Sequence, residues 1–231
     1  MALIKKSKGR RDDQSPSGYT RLFGISELGS LMSKVHGASI TAGTELEKLI
    51  IERCKKILDL DAFLGDVDSR TPGIFVATKK QIKQSKLISS RYEPDFLAFD
   101  LESRVCYVIE VKDGDQFDTK KAAGEHATLH NFTNDVSQAL PFSFQIYICS
   151  FNARSKKEVH DGLKHKFSIE EVITGLELCK LLGINYDEIV ALRTNDHQNN
   201  LEYFVDELVK IPVVNSMLKQ ATKDESQNSS N

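Results

Sequence analysis

The sequence predicts a mixed α/β (α+β) fold in which a central mixed β-sheet is flanked by helices and the C-terminal portion is helical. Three observations carry this. The patterns follow the order helix, strands, helix, strand, then helices. The runs "PDFLAFDLE" and "RVCYVIEVKD" are short, apolar and rich in β-branched and aromatic residues. The last third of the chain reads at helical spacing with cap signals at its ends. At 231 residues the chain is long enough for one sizeable core. One folded domain is expected over 19–218, with its core at about 41–151 and its helical part at about 168–218. The polar ends, a basic one at 1–18 and "KDESQNSSN" closing 219–231, read as flexible tails.

Each element has its own reason. In "ITAGTELEKLIIERCKKILDL", Leu46, Leu49, Ile50, Ile57 and Leu58 recur near helical spacing, which predicts a helix from about Glu45 to Leu60. Thr41 or Thr44 would cap it, and Gly43 would limit its growth upstream. "GIFVA" from Gly73 is a short strand, and the two longer runs form an antiparallel hairpin turning at Glu102 and Ser103. Asp118 is placed to cap a long helix closed by Pro141, and "FSFQIYICSF" reads as a central strand. "SIEEVITGLELCKLLG" opens with a Ser-x-x-Glu capping box and stops at Gly183. The helical runs "YDEIVAL" and "LEYFVDELVK" follow, the second reaching Pro212.

Composition excludes several classes. Forty per cent hydrophobic and 28% charged residues describe a globular chain, and no apolar run approaches the roughly 20 residues that span a bilayer. The basic start has no apolar segment after it to make a signal peptide, so a cytoplasmic location is expected. Cys54, Cys106, Cys149 and Cys179 stand singly among apolar neighbours, which argues against a zinc ribbon or disulfide framework. The sequon at Asn131 then has no glycosylation to direct it. A net charge of −2 is no obstacle to a polyanionic partner, because local clustering decides phosphate contact. "KKQIKQSKLISSR" supplies Lys79, Lys80, Lys83, Lys86 and Arg91 without one acid; it reads as a solvated face or a phosphate-binding one.

The hairpin carries charges where a buried strand should have none. Residues two apart on a strand share a face, so Glu110 and Lys112 point one way while Ile109 and Val111 point the other. A turn at Glu102 and Ser103 sets Asp95 opposite the end of the next strand. Two carboxylates and a lysine then converge. Close carboxylates repel, and a hard divalent cation such as Mg2+ removes that penalty through its preference for oxygen ligands. The lysine can orient or help deprotonate water and offset charge on a phosphate. Such a group is suited to hydrolysing a phosphodiester.

With "PD" at Pro94–Asp95, "EVK" at Glu110–Lys112 and fourteen residues between Asp95 and Glu110, the chain resembles the PD-(D/E)xK nuclease superfamily. The resemblance implies a restriction-endonuclease-like core with Asp95 and Glu110 as ligands of Mg2+ and Lys112 as their catalytic partner. It also implies a helix glutamate that positions water or a second metal; Glu47 in "GTELEKLI" is the candidate, and Glu45 is its alternative. The run "KDGDQFDTKKAAGE" is similar to type II restriction endonucleases in particular. The expected activity is therefore magnesium-dependent, sequence-specific cleavage of double-stranded DNA by a nuclease domain acting as a homodimer, with a cognate DNA methyltransferase as functional partner. A repair nuclease or junction resolvase of the same superfamily, and an inactive DNA-binding module, are the alternatives. Lys120 and Lys121 are candidates for phosphate contact or for a solvated first turn. Asn152 to Lys166 has side chains suited to base or phosphate contact, or to a solvated loop. His126 and His130 stand four apart, and His160 and His165 five apart, but no third ligand stands at a familiar spacing. Nucleophile-elbow and P-loop patterns are absent, which argues against a serine hydrolase or an ATP-driven enzyme.

Overall fold

The computed structural model describes residues 2–9 and 15–228, with side chains up to residue 221. The parts of the two expected tails at 1, 10–14 and 229–231 lie outside the described residues. The elements are a 3-10 turn at Ile4–Lys6, α1 (Gly18–Phe23), α2 (Ser26–Ile51), α3 (Leu60–Gly65), a second 3-10 turn at Val67–Ser69, β1 (Ile74–Thr78), α4 (Lys79–Gln84), β2 (Phe96–Asp100), β3 (Val105–Lys112), α5 (Thr119–Val136), β4 (Ser143–Ser150), α6 (Lys156–Gly162), β5 (Val172–Thr174), α7 (Gly175–Leu182), α8 (Tyr186–Val209) and α9 (Pro212–Asn228).

Two compact units emerge. The larger, Leu46–Ile189, holds a five-stranded sheet in the order β1-β2-β3-β4-β5. β1, β2 and β3 pair antiparallel, while β3, β4 and β5 pair parallel, so the sheet is mixed as expected. Strand alternation sorts the core into two layers. Val76, Phe96, Ala98, Ile109 and Val111 face one way, onto Leu46 and Ile50 of α2 and Leu178 and Leu182 of α7. Ala77, Leu97, Phe99, Cys106 and Val108 face the other, onto Phe63 of α3, Ile82 of α4, and Leu129 and Phe132 of α5. Cys106, Cys149 and Cys179 are buried and Cys54 is half-buried, and all four are free thiols. No described helix is long and apolar enough to cross a membrane.

The other unit combines the chain up to Glu45 with the chain from Val190. Its start, read from sequence as a tail, is anchored: Ile4 is buried and its N–H donates to Asn200 Oδ1 at 2.8 Å. The Asn200 amide also donates to the Ala2 carbonyl at 3.0 Å, so one side chain holds both. At the crossing of α1 and α2 only glycine fits at position 29, because an added Cβ would lie 1.9 Å from Thr20 Oγ1.

Three expectations about elements need correction. The helix expected from about Glu45 to Leu60 is α2, which begins at Ser26 and ends at Ile51. Thr41 lies inside it with its hydroxyl donating to the Gly37 carbonyl at 2.9 Å, and a glycine costing about 1 kcal/mol does not stop so long a helix. Leu58 stands 84% exposed beyond its end, while the segment at Lys56 bridges to Val76. Second, "SIEEVIT" opens no helix: Glu171 caps only a turn, and Val172–Thr174 form β5 before Thr174 and Glu177 close a true capping box on α7. Third, the helical runs either side of "RTNDHQNN" are one helix, α8.

Candidate active site

The β2–β3 hairpin places the charged residues. Its register pairs Phe96 with Ile109, so Asp95, one residue before β2, stands across from Glu110. The Asp95 carbonyl accepts the N–H of Lys79 at 3.0 Å, and its Oδ2 accepts the N–H of Val111 at 2.9 Å, which fixes the carboxylate against β3. Glu110 and Lys112 share the face that packs under α5. Lys112 Nζ donates to Glu110 Oε1 at 2.5 Å and lies 2.7 Å from Glu125 Oε1. Among the described residues the only buried carboxylates are Asp95, Glu110 and Asp196.

Burial and mutual charge govern this group. Burial pushes Asp95 up to about 6, with the Val111 N–H pulling the other way and Glu47 adding to the rise. Burial and the Asp95 charge push Glu110 up to about 7, against the opposing pull of Lys112. Glu47 is raised by its own burial and by Glu110. Burial alone would depress Lys112, but Glu110 and Glu125 outweigh it and hold the ammonium above its ordinary range. The result is a partly dry site with an excess of negative charge over one fixed lysine.

A divalent cation fits this donor set. All the donors are hard carboxylate oxygens, and burial together with their mutual charge disfavours their ionised forms, a cost that a bound cation would remove. Asp95 and Glu110 would hold the ion. Glu47 does not join them in a cluster of three oxygens within 4.8 Å, since such groups lie elsewhere among the described residues. Its reach to the same ion would pass through water. Glu45 points to different chemistry, accepting the Ala2 N–H at 2.6 Å.

The expected basic residues separate. Lys79 is brought to the site: it follows β1 directly, and its charge opposes the rise of both Asp95 and Glu47. The acid-free run does not stay acid-free in space, because Glu93 lies 2.9 Å from Lys83 Nζ and 3.7 Å from Lys79 Nζ. Lys80 and Lys86 are exposed, the latter with its backbone N–H on Asp61 at 2.9 Å. Arg91 lies over the Tyr92 ring and donates to its hydroxyl at 2.7 Å. Lys120 and Lys121 are exposed in the first turn of α5. Asn152 is tied down, donating to the Asp113 carbonyl at 2.6 Å and to Asp113 Oδ1 at 2.9 Å.

Sequence reasoning missed Glu125. The signal was present: Ala122, Leu129, Phe132 and Val136 form the buried stripe of α5, and Glu125 falls on that stripe. An acid on the apolar face of a helix needs a buried partner, and Lys112 is that partner. The loop after Lys112 is also more constrained than its glycine suggests. Ser150 Oγ donates to the Gly114 carbonyl at 3.0 Å and Phe117 N–H to the Gly162 carbonyl at 3.1 Å.

Over 227 residues the chain is 43% identical to the type II restriction enzyme HhaII of Haemophilus parahaemolyticus, an alignment that spans 95% of this chain and 99% of that enzyme. No family model matches the chain, and no solved structure matches it.

Proposed function

The chain belongs to the family of type II restriction enzymes, and on that premise we propose that it is a PD-(D/E)xK endonuclease cutting double-stranded DNA at a specific sequence with Mg2+. One observation carries the reading: two buried carboxylates and an ion-paired lysine meet where β2 begins and β3 ends. The chemistry that Mg2+ would supply there is a lowered pKa for water and an offset to the charge on the scissile phosphate. Asp95, held by the Val111 N–H, and Glu110 would supply its protein ligands. Lys112 is a cation at neutral pH, pinned by Glu110 and Glu125, so it acts as a hydrogen-bond donor to the attacking water or a phosphate oxygen rather than as a base. Glu47 orients water at the edge of the group.

Phosphate contacts fall to Lys79, Lys80, Lys83, Lys86 and Arg91 before the site and to Lys120 and Lys121 after it. A palindromic target calls for a two-fold symmetric homodimer. Leu201, Val205 and Val209 support a self-association surface, since they recur every fourth residue along α8 and are exposed. A DNA methyltransferase of matching specificity completes the system, and the cytoplasm is where both would act.

The test is digestion of a fully sequenced plasmid with magnesium or with EDTA, with Asp95→Ala and Lys112→Ala alongside. Discrete magnesium-dependent fragments, lost in both variants while circular dichroism stays unchanged, support the reading. Near-normal cleavage by either variant removes that residue from the mechanism, and cleavage in EDTA removes the metal.

A further inference from the structure

His126 and His130 stand one helical turn apart on α5, and the structure brings them the third ligand that the sequence does not reveal. Glu171, from the turn before β5, joins them so that one nitrogen of each histidine and one carboxylate oxygen all lie within 4.8 Å of one another. The two imidazoles lie with ring centroids 4.1 Å apart. All three side chains are half-buried.

The frame around them is fixed. Glu171 Oε2 accepts the Ser168 N–H at 2.8 Å, and the Glu171 carbonyl accepts the Ile148 N–H at 2.9 Å, which ties this residue to β4. Its other oxygen is turned toward the histidines. His126 is braced edge-on against Phe167, with ring centroids 5.0 Å apart. His130 Nε2 lies 2.8 Å from Glu171 Oε1, yet the angle makes no hydrogen bond, and this buried nitrogen has no hydrogen-bond partner. A nitrogen and an oxygen close together but not aimed at each other are placed as two ligands facing one point would be. An opening of a few tenths of an ångström would bring the pair to the roughly 3.3 Å that separates neighbouring ligands at about 2.0 Å from a tetrahedral ion.

We propose that His126, His130 and Glu171 form a zinc site on the flank of α5, with water as the fourth ligand, that fastens α5 to the turn entering β5. The donor chemistry distinguishes it from the carboxylate site. Two imidazoles and one carboxylate suit Zn2+ and other borderline metals, whereas Mg2+ takes oxygen ligands. The Ser168 N–H on Glu171 is the kind of supporting hydrogen bond that orients a ligand. The site also bears on the nuclease centre through α5, because Glu125, the partner of Lys112, is the residue before His126.

The experiment is a zinc titration of untagged, metal-free, full-length protein against a chromophoric zinc chelator, with His130→Ala, Glu171→Gln and Asp95→Asn compared. One zinc per chain is expected for the wild type and for Asp95→Asn, with affinity weaker by roughly a hundredfold in the other two. Cobalt in place of zinc should give the visible absorption of a four-coordinate site in the wild type, lost in His126→Ala. His130 is 41% exposed, so its truncation leaves the fold intact, and far-UV circular dichroism checks that. Three results would overturn the proposal: no zinc bound, affinity unchanged in both His130→Ala and Glu171→Gln, or zinc lost in Asp95→Asn.

Discussion

Removing one carboxylate of the candidate site should make the metal-free protein more stable, although the residue is buried. Glu110 is raised from 4.5 to about 7 by burial and by Asp95, so ionising it in the folded protein costs roughly 3 kcal/mol more than in the unfolded chain. The folded state binds the extra proton between these two values. Stability therefore falls as pH rises through that window, and above it the whole cost is present. Glu110→Gln keeps the shape and an acceptor for Lys112 while removing the charge. Relaxation around the ionised group makes the full figure an upper limit, so in EDTA at pH 8 the variant should gain roughly 1–3 kcal/mol. At pH 5 the gain should shrink to less than about 1 kcal/mol. Urea unfolding at the two pH values measures both, read from the midpoint at constant slope. Magnesium should then stabilise the wild type and not the variant. A Glu110→Gln protein less stable than wild type at pH 8 would refute the claim that this site is short of positive charge.

Other outcomes follow from named contacts. Glu125→Gln should lower kcat by roughly 10- to 100-fold with KM little changed, because Lys112 loses one of its two carboxylates; unaltered kinetics would make that ion pair purely structural. Gly162→Ala should cost roughly 2 kcal/mol or more, since its Cβ would lie 2.0 Å from the Asp115 carbonyl oxygen, and a normal thermal midpoint would contradict that close approach. Replacing Lys79 and Lys83 together by alanine should reduce the slope of log K against log salt for DNA binding by about 2, one counterion for each phosphate contact. An unchanged slope would leave both lysines to their pairing with Glu93.

The sequence made the hairpin and its charges legible because both depend on short-range rules. Period-two alternation fixes which way Glu110 and Lys112 face, and a four-residue turn fixes that Asp95 meets the end of β3. Asp118 as the cap of α5 and Gly183 as the left-handed end of α7 were readable for the same reason. What escaped depends on contacts between distant segments. The partner of Glu125 becomes identifiable only when α5 is laid over β3, and Glu171 only when the turn before β5 is brought to α5. β5 is too short for its three β-branched residues to show a period, and its pairing with β4 alone makes it a strand. The first half of α2 carried a signal too, in Leu28, Leu31, Met32 and Val35 at helical spacing, but Gly37, Gly43 and the β-branched Ile40 and Thr41 between them masked its continuity with Leu46 and Ile50.

The direction of the strands has one more consequence. β1, β3, β4 and β5 run the same way and β2 runs against them, so one rim of the sheet receives four strand ends and the start of β2. That rim holds Lys79, Asp95, Glu110 and Lys112, and α4, α5, α6 and α7 all depart from it. The opposite rim carries the turn after β2. β3 is eight residues long, so an attachment at exposed Glu102 would stand about 25 Å from Lys112. A fluorophore or surface tether fixed there would hold the molecule by its far side and leave the rim with Asp95, Glu110 and Lys112, the proposed DNA face, uncovered.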